Sequence, residues 1–252
     1  MAAPIVLAGS ATAQNGQEYA LAPDAALIVT EDGSGCILDM GGDVYAVAPI
    51  GAAMLRWTLE HGAAPAAMHV ATTYGADLAR VQADLRRFLA DLQSRGVLAG
   101  RDRKVRSSGA RIAAAALGGF FKLSRSSRAR AATALTLARV SFGLFGWTAT
   151  MSSWNRRLPA AGAPPPEGLE ALAGSIDEAV RSAAARHMMG VDCKERALSC
   201  WAMARASGLP ATVVVGVELY PLSGHCWCEI GSSIVGDDPQ RCRRYTPVFR
   251  YE

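Results

Sequence analysis

The chain has 252 residues, half of them apolar, with 26 Lys and Arg against 22 Asp and Glu for a mild net charge of +4. That length buries a real core in one large or two small domains. Six cysteines at scattered spacings, with no CxxC, exclude a disulfide-stapled miniprotein and point to reduced thiols in a cytosolic protein.

In chain order, MAAPIVLAGSATAQ mimics a signal-peptidase site at Ala13, but no Lys or Arg precedes its apolar stretch, so secretion is not expected. Segments 25–30, 36–40 (CILDM) and 44–47 (VYAV) alternate β-branched and aromatic residues between Gly/Asp-rich breaks at 31–35 and 41–43. These predict three short antiparallel strands joined by hairpins, with the third at a sheet edge. Helical patterns follow at 50–61, 65–74 and 77–94, the last carrying Leu78, Val81, Leu85, Phe88 and Leu92 on one face. Gly96 stops that helix ahead of Val97 and Leu98, which closes a β3α3 winged-helix-like unit of under a hundred residues. Its last helix sets Arg80, Arg86 and Arg87 against Asp77, Asp84 and Asp91, so it has no basic face for nucleic acid.

This stretch resembles the PqqD-like recognition element of ribosomally made, modified peptides, through LDMGGDVYAVAPIGAAMLRWTLE (38–60), YGAD (74–77) and FLADLQSRGVL (88–98). In that family the leader of a precursor peptide adds a strand beside the third strand and tucks side chains against the third helix. The resemblance therefore implies an interface at Asp43, Val44, Tyr45 and Val47, with Arg80, Val81, Asp84 and Leu85 on the helix. An unpaired edge strand offers an extended peptide its backbone donors and acceptors.

Residues 101–130 hold nine Lys and Arg against the single acid Asp102, and read as a linker or loose helix between a first domain (1–100) and a second (131–252). The uncharged run 140–155 is too short to span a membrane and predicts a buried or amphipathic helix. Helical periodicity over 131–145 yields to a Pro/Gly cluster at 158–168, then resumes from Leu169 toward Gly190.

Asp192 three positions before Glu195 signals a helix start, and Gly208-Leu209-Pro210 a stop. Leu198, Trp201 and Ala202 would form its buried stripe. Cys193 falls in the first turn, where free N–H groups and the helix dipole favour a thiolate. Cys200, two turns on, reads as a packed thiol. Residues 212–219 predict a buried strand, and period-two alternation then puts His225, Trp227 and Glu229 on one strand face with Cys226, Cys228 and Ile230 on the other. A zinc site built from His225, Cys226 and Cys228 would need them to converge, so no metal is expected there. A turn at 231–233 leads to Asp237 and Asp238. A three-residue loop would set Asp237 beside His225, and a two-residue turn would set Asp238 opposite it. A helix-start thiol, an imidazole and a carboxylate are the parts of a cysteine hydrolase.

The segment DCKERALSCWAMARASGLPATVVVGV, with GHCWCEI, GSSIVGDDP and YTP behind it, resembles the transglutaminase-like cysteine peptidases that remove leaders in lasso-peptide biosynthesis. The resemblance implies an α+β chain in which the winged-helix-like domain precedes a papain/transglutaminase-like peptidase domain. It assigns Cys193 as nucleophile, His225 as base and Asp237 as orienter, with Trp227 beside the cleft. It also implies a cytoplasmic enzyme without cofactor, a precursor peptide as substrate, and an ATP-dependent, asparagine-synthetase-like cyclase as partner. An acyltransferase with the same triad, or a scaffold that only binds peptide, are the rival readings.

Overall fold

The computed structural model describes residues 5–9, 19–99, 107–123, 126–158, 168–219 and 221–252. The signal-like site at Ala13, the start of the basic connector and the prolines of the 158–168 cluster lie outside them. The chain divides into two units, Met1–Val105 and Arg106–Glu252.

In the first unit, β1 (Ile5–Ala8) pairs antiparallel with β3 (Ala25–Val29), which is followed by β4 (Gly35–Asp39) and β5 (Val44–Val47) in the sheet order β1-β3-β4-β5. The three predicted strands are present, and β5 lies at the edge. The extra strand β1 arises from the apolar stretch that reads like part of a signal sequence, and its Ile5 pairs with Val29. Two-residue strands β2 (Ala20–Leu21) and β6 (Leu98–Ala99) pair and tie the ends of the unit together.

The hairpins close through local side chains. Asp32 Oδ1 accepts the Ser34 N–H at 3.0 Å, and Asp39 Oδ1 accepts the Gly41 N–H at 2.8 Å. Helices α1 (Pro49–His61), α2 (Ala63–Tyr74) and α3 (Leu78–Ser94) then cover the sheet. Asp77 caps α3 by accepting the Arg80 N–H at 2.8 Å. At the other end Gly96, with φ 75°, lets Val97 N–H reach the Leu92 carbonyl at 2.9 Å, a Schellman stop. Leu27, Ile37, Leu55, Leu85 and Leu89 meet in one core.

In the second unit, residues 107–123 of the basic stretch form helix α4 (Ser107–Leu123), packed along α5 (Ser127–Arg157). A Cβ at Gly109 would stand 2.3 Å from the Phe145 ring, so the absent side chain permits the close approach. The uncharged run 140–155 lies in α5, which Gly146 breaks with φ 77° and ψ −179°. Among the described residues no helix is long and apolar enough to cross a membrane.

Helices α6 (Leu169–Ala185) and α7 (Cys193–Ala206) lead into β7 (Ala211–Leu219), β8 (Leu222–Ile230), β9 (Ser233–Val235), α8 (Pro239–Cys242) and β10 (Thr246–Tyr251). The sheet order is β10-β7-β8-β9. Helix α7 packs against α5, α6, β7 and β8 at once, so every residue from Ala197 to Arg205 is buried. The single apolar stripe expected at Leu198, Trp201 and Ala202 thus becomes a helix buried on all sides, as a central helix must be. Even Arg205 is inside, donating to Asn155 Oδ1 at 2.8 Å and stacking over Trp201. The pairing of β10 with β7 had no strong local signal, because Pro247 and a register shift interrupt the strand.

Candidate active site

Cys193 is the first residue of α7, directly after the N-cap Asp192. The Glu195 carboxylate reaches back to accept the Asp192 N–H at 2.9 Å, the reciprocal half of a capping box. Arg139 of α5 stands 3.2 Å from Asp192 Oδ2 and 3.4 Å from Glu195 Oε1. Glu195 is fully buried, so that guanidinium and the backbone N–H compensate its charge. The start of the nucleophile helix is thereby held against α5.

His225 sits on β8 opposite Gly216 of β7. A Cβ at Gly216 would stand 2.8 Å from the Trp227 ring and 2.9 Å from Tyr245 Cβ, so glycine makes room for both side chains. The Tyr245 ring centroid lies 4.9 Å from that of His225. Trp227 is buried and donates its Nε1–H to Glu229 Oε1 at 2.9 Å, while Arg250 holds the other Glu229 oxygen at 2.7 Å. The face carrying His225, Trp227 and Glu229 is therefore fixed from several directions.

His225 Nε2 lies 3.1 Å from Asp237 Oδ2. This is an ion-pair contact rather than an aligned hydrogen bond, because the ring N–H does not point along the line between them. The β8–β9 register pairs Ile230 with Ser233, a two-residue turn in which Gly231 takes the positive φ of 60°. Continued straight, that register would bring Asp238 opposite His225. It does not continue, since β9 ends at Val235 and Gly236 turns the chain with φ 79°. Asp237 is left beside the imidazole, and Asp238 instead caps α8 by accepting the Gln240 N–H at 2.9 Å.

The turn is held by α6 and α7. Asp177 Oδ1 accepts the Gly236 N–H at 2.6 Å, and Arg181, paired with Asp177, donates to the Asp237 carbonyl. Arg196 stands 3.2 Å from Asp237 Oδ2, and the Asp238 N–H reaches Oδ1 at 2.8 Å.

The electrostatics follow from these contacts. Burial pushes the Cys193 thiol up, but the hydrogen bond and positive charge of His225, the Cys226 N–H and the Arg196 guanidinium outweigh it and bring the pKa below the usual thiol value. Burial likewise pushes the His225 imidazolium down, yet contacts with Asp237, Cys193 and Cys242 hold its pKa up to about 11. Desolvation raises Asp237, and His225, the Asp238 N–H and Arg196 override it and bring the carboxyl down to about 2. Each shift moves its group toward the charged form, the thiol toward thiolate beside the imidazolium and the carboxylate. By contrast burial drives Cys200, Cys226 and Cys228 upward, and Cys36 up to about 11.

Removing the Arg196 charge as Arg196→Met takes a lowering influence from both Cys193 and Asp237. The rate of Cys193 alkylation plotted against pH should keep its shape and move toward the alkaline side. An unmoved profile would mean that the guanidinium only packs.

Cys226 and Cys228 do not join His225 in a metal-ligand group. Among the described residues the group that does converge is His225, Asp237 and Cys242, each offering one donor atom within 4.8 Å of the others. Neither Cys242 nor the three arginines stood out in the sequence. The arginines act across 41 to 56 residues of chain, and no local pattern records such pairs.

In the first unit Val44 and Tyr45 are half-buried on edge strand β5, Asp43 is exposed, and Val47 is in the core. Tyr45 lies under the Arg95 guanidinium, 5.4 Å from ring centre to carbon, and its hydroxyl reaches Asp43. On α3, Arg80 and Asp84 are exposed while Val81 and Leu85 are core residues.

Residues 132–250 match the transglutaminase-like superfamily, and residues 21–98 match coenzyme PQQ synthesis protein D. No curated protein and no solved structure gave a significant match. The second unit, with its helix-start thiol and strand histidine, is thus a transglutaminase-like domain of the cysteine-protease type of fold. A PqqD-type domain ahead of such a domain is the architecture of the fused B proteins of lasso-peptide biosynthesis.

Proposed function

We propose that the chain is the leader peptidase of a lasso-peptide system, cutting a precursor between leader and core. The observation that carries this reading is the half-buried Cys193, at a helix start, in hydrogen-bond contact with a buried imidazole backed by Asp237. The Cys193 thiolate attacks the scissile carbonyl, and the oxyanion meets N–H groups at the start of α7. Since Nε2 faces Asp237, Nδ1 is the nitrogen left for the thiol and the leaving amine. His225 gives that amine its proton, and water drawn onto the acyl-enzyme by the now neutral ring releases the leader acid. Asp237 keeps the ring oriented through the cycle.

The leader would lie as an added strand along the free edge of β5, meeting Asp43, Val44 and Tyr45, with Arg80 and Asp84 of α3 as its exposed polar contacts. Val47, Val81 and Leu85 would shape that surface from beneath. Six free cysteines suit a cytoplasmic setting. The freed α-amine of the core would pass to an ATP-dependent cyclase.

An acyltransferase would use the same three groups with an amine in place of water. Incubating the protein with its precursor in ¹⁸O-enriched water separates the two. Hydrolysis yields two fragments, with heavy oxygen in the new leader carboxylate; an unlabelled amide adduct would replace this reading with transfer.

A further inference from the structure

We propose that His225, Asp237 and Cys242 form a zinc site that switches the Cys193 thiol off. Binding at this site stands on geometry alone, whereas the switching rests on the hydrolase reading above.

Imidazole nitrogen, carboxylate oxygen and thiolate sulfur together are a donor set suited to zinc and poorly suited to calcium or magnesium, which take oxygen ligands. The three donor atoms lie within 4.8 Å of one another, and all three residues are buried. Around a tetrahedral zinc, with bonds of about 2.0 to 2.3 Å, donors stand roughly 3.3 to 3.7 Å apart. His225 Nε2 and Asp237 Oδ2, at 3.1 Å, stand slightly closer than that and need to part only a little. Cys242 needs only a small inward movement.

The nitrogen itself is the second indication. His225 is 3% exposed, yet its Nε2 makes no aligned hydrogen bond. A buried ring nitrogen normally has a partner in line with it. Cys242, which is 1% exposed, contacts the same ring. Helix α8, capped by Asp238, fixes Cys242 in that place.

Charge and proton balance decide the effect. A neutral imidazole, a carboxylate and a thiolate bring two negative charges to a divalent cation. Arg196, at 3.2 Å from the same carboxylate oxygen, opposes binding and keeps it reversible. Zinc takes imidazole in its neutral form and cysteine as the thiolate, so a zinc held here occupies the ring that the catalytic base would use. Cys193 thereby loses its cationic partner, and the departing amine loses its proton donor. Three protein ligands leave the fourth position of the metal open.

The test uses the full chain as reduced Cys193→Ala protein, so that the nucleophile cannot supply the sulfur. Cobalt(II) serves as spectroscopic probe and zinc is titrated against a chelator. We expect one metal per chain with a thiolate-to-cobalt charge-transfer band. Adding Cys242→Ala or His225→Ala should remove the band and weaken zinc by more than the about hundredfold that loss of an outer-shell partner costs. Cys242→Ser keeps the side-chain shape without sulfur and does the same if alanine disturbs the fold. No band in the Cys193→Ala protein, or a band that survives loss of Cys242, overturns the site.

With Cys193 present, the ratio of precursor cleavage with and without zinc should fall in the parent and stay near one in Cys242→Ala. Equal inhibition in both would overturn the switch while leaving the binding result intact. Absence of cleavage in every zinc-free sample would count against the hydrolase reading and not against the site.

Discussion

Cys193→Ala protein should leave precursor uncut, with a rate loss of at least about 10⁴-fold, while circular dichroism and leader binding remain those of the parent. Cys193 is half-buried at the first position of α7, and alanine is a good helix former there, so the loss would report chemistry and not folding. His225→Ala should be nearly as severe for a different and measurable reason. It removes the hydrogen bond and the charge that bring the Cys193 thiol down, and leaves the burial that pushes it up. The thiol pKa therefore rises, and alkylation by iodoacetamide, which needs the thiolate, moves to higher pH. In the parent, alkylation should begin below the pH range of an ordinary thiol, because contacts with Asp237, Cys193 and Cys242 hold the His225 pKa up to about 11 and the charged ring lowers that of the thiol. Matching alkylation profiles in the parent and His225→Ala would show that the two groups are not coupled, and the proposed mechanism would go with that coupling.

Gly236→Ala is expected to be the most damaging substitution outside the reacting groups. The residue has φ 79°, where an L side chain is strained, and its Cβ would stand 2.5 Å from Cys200 Sγ. Strain and overpacking together cost about 2–4 kcal/mol. The turn also aims Asp237 at His225, and a displacement of even 1 Å at such a group costs on the order of 10²-fold in rate. The double substitution Cys200→Ala with Gly236→Ala separates these effects. Removing the sulfur relieves the clash but not the backbone strain, so melting temperature and activity should both recover in part. No recovery would assign the whole cost to the positive φ, and full recovery would assign it to the contact.

Position 236 also shows where reading the chain alone succeeds and fails. The cysteine at a helix start was legible, because Asp192, Glu195 and Gly208 are short-range signals that each act within one helical turn. The edge strand and the three helices behind it were legible through periodicity and turn residues. The residues alone left Asp237 and Asp238 open, and only the family resemblance chose Asp237. Turn preference correctly favours the two-residue loop, and that loop then argues for the wrong aspartate as neighbour of His225. What reverses the argument is Gly236, anchored by Asp177 from a helix 59 residues earlier. Strand β1 was missed for a related reason, since its pairing with Ala25–Val29 gives meaning to an apolar stretch that alone resembles an export signal. Cys242 carried no signal at all until α8 folded it back toward the histidine.

Helix α7 acts as a ruler. Cys193, Arg196 and Cys200 are spaced three and four residues apart, so one face of the helix carries the nucleophile, the cation that holds Asp237, and the sulfur against which Gly236 turns. Inserting or deleting one residue between these marks would rotate the later ones by about 100° and shift them by about 1.5 Å. Cys193 would then keep its place while Asp237 lost its cation and the turn lost its contact. Variation in this stretch must therefore proceed by exchange of residues at constant length.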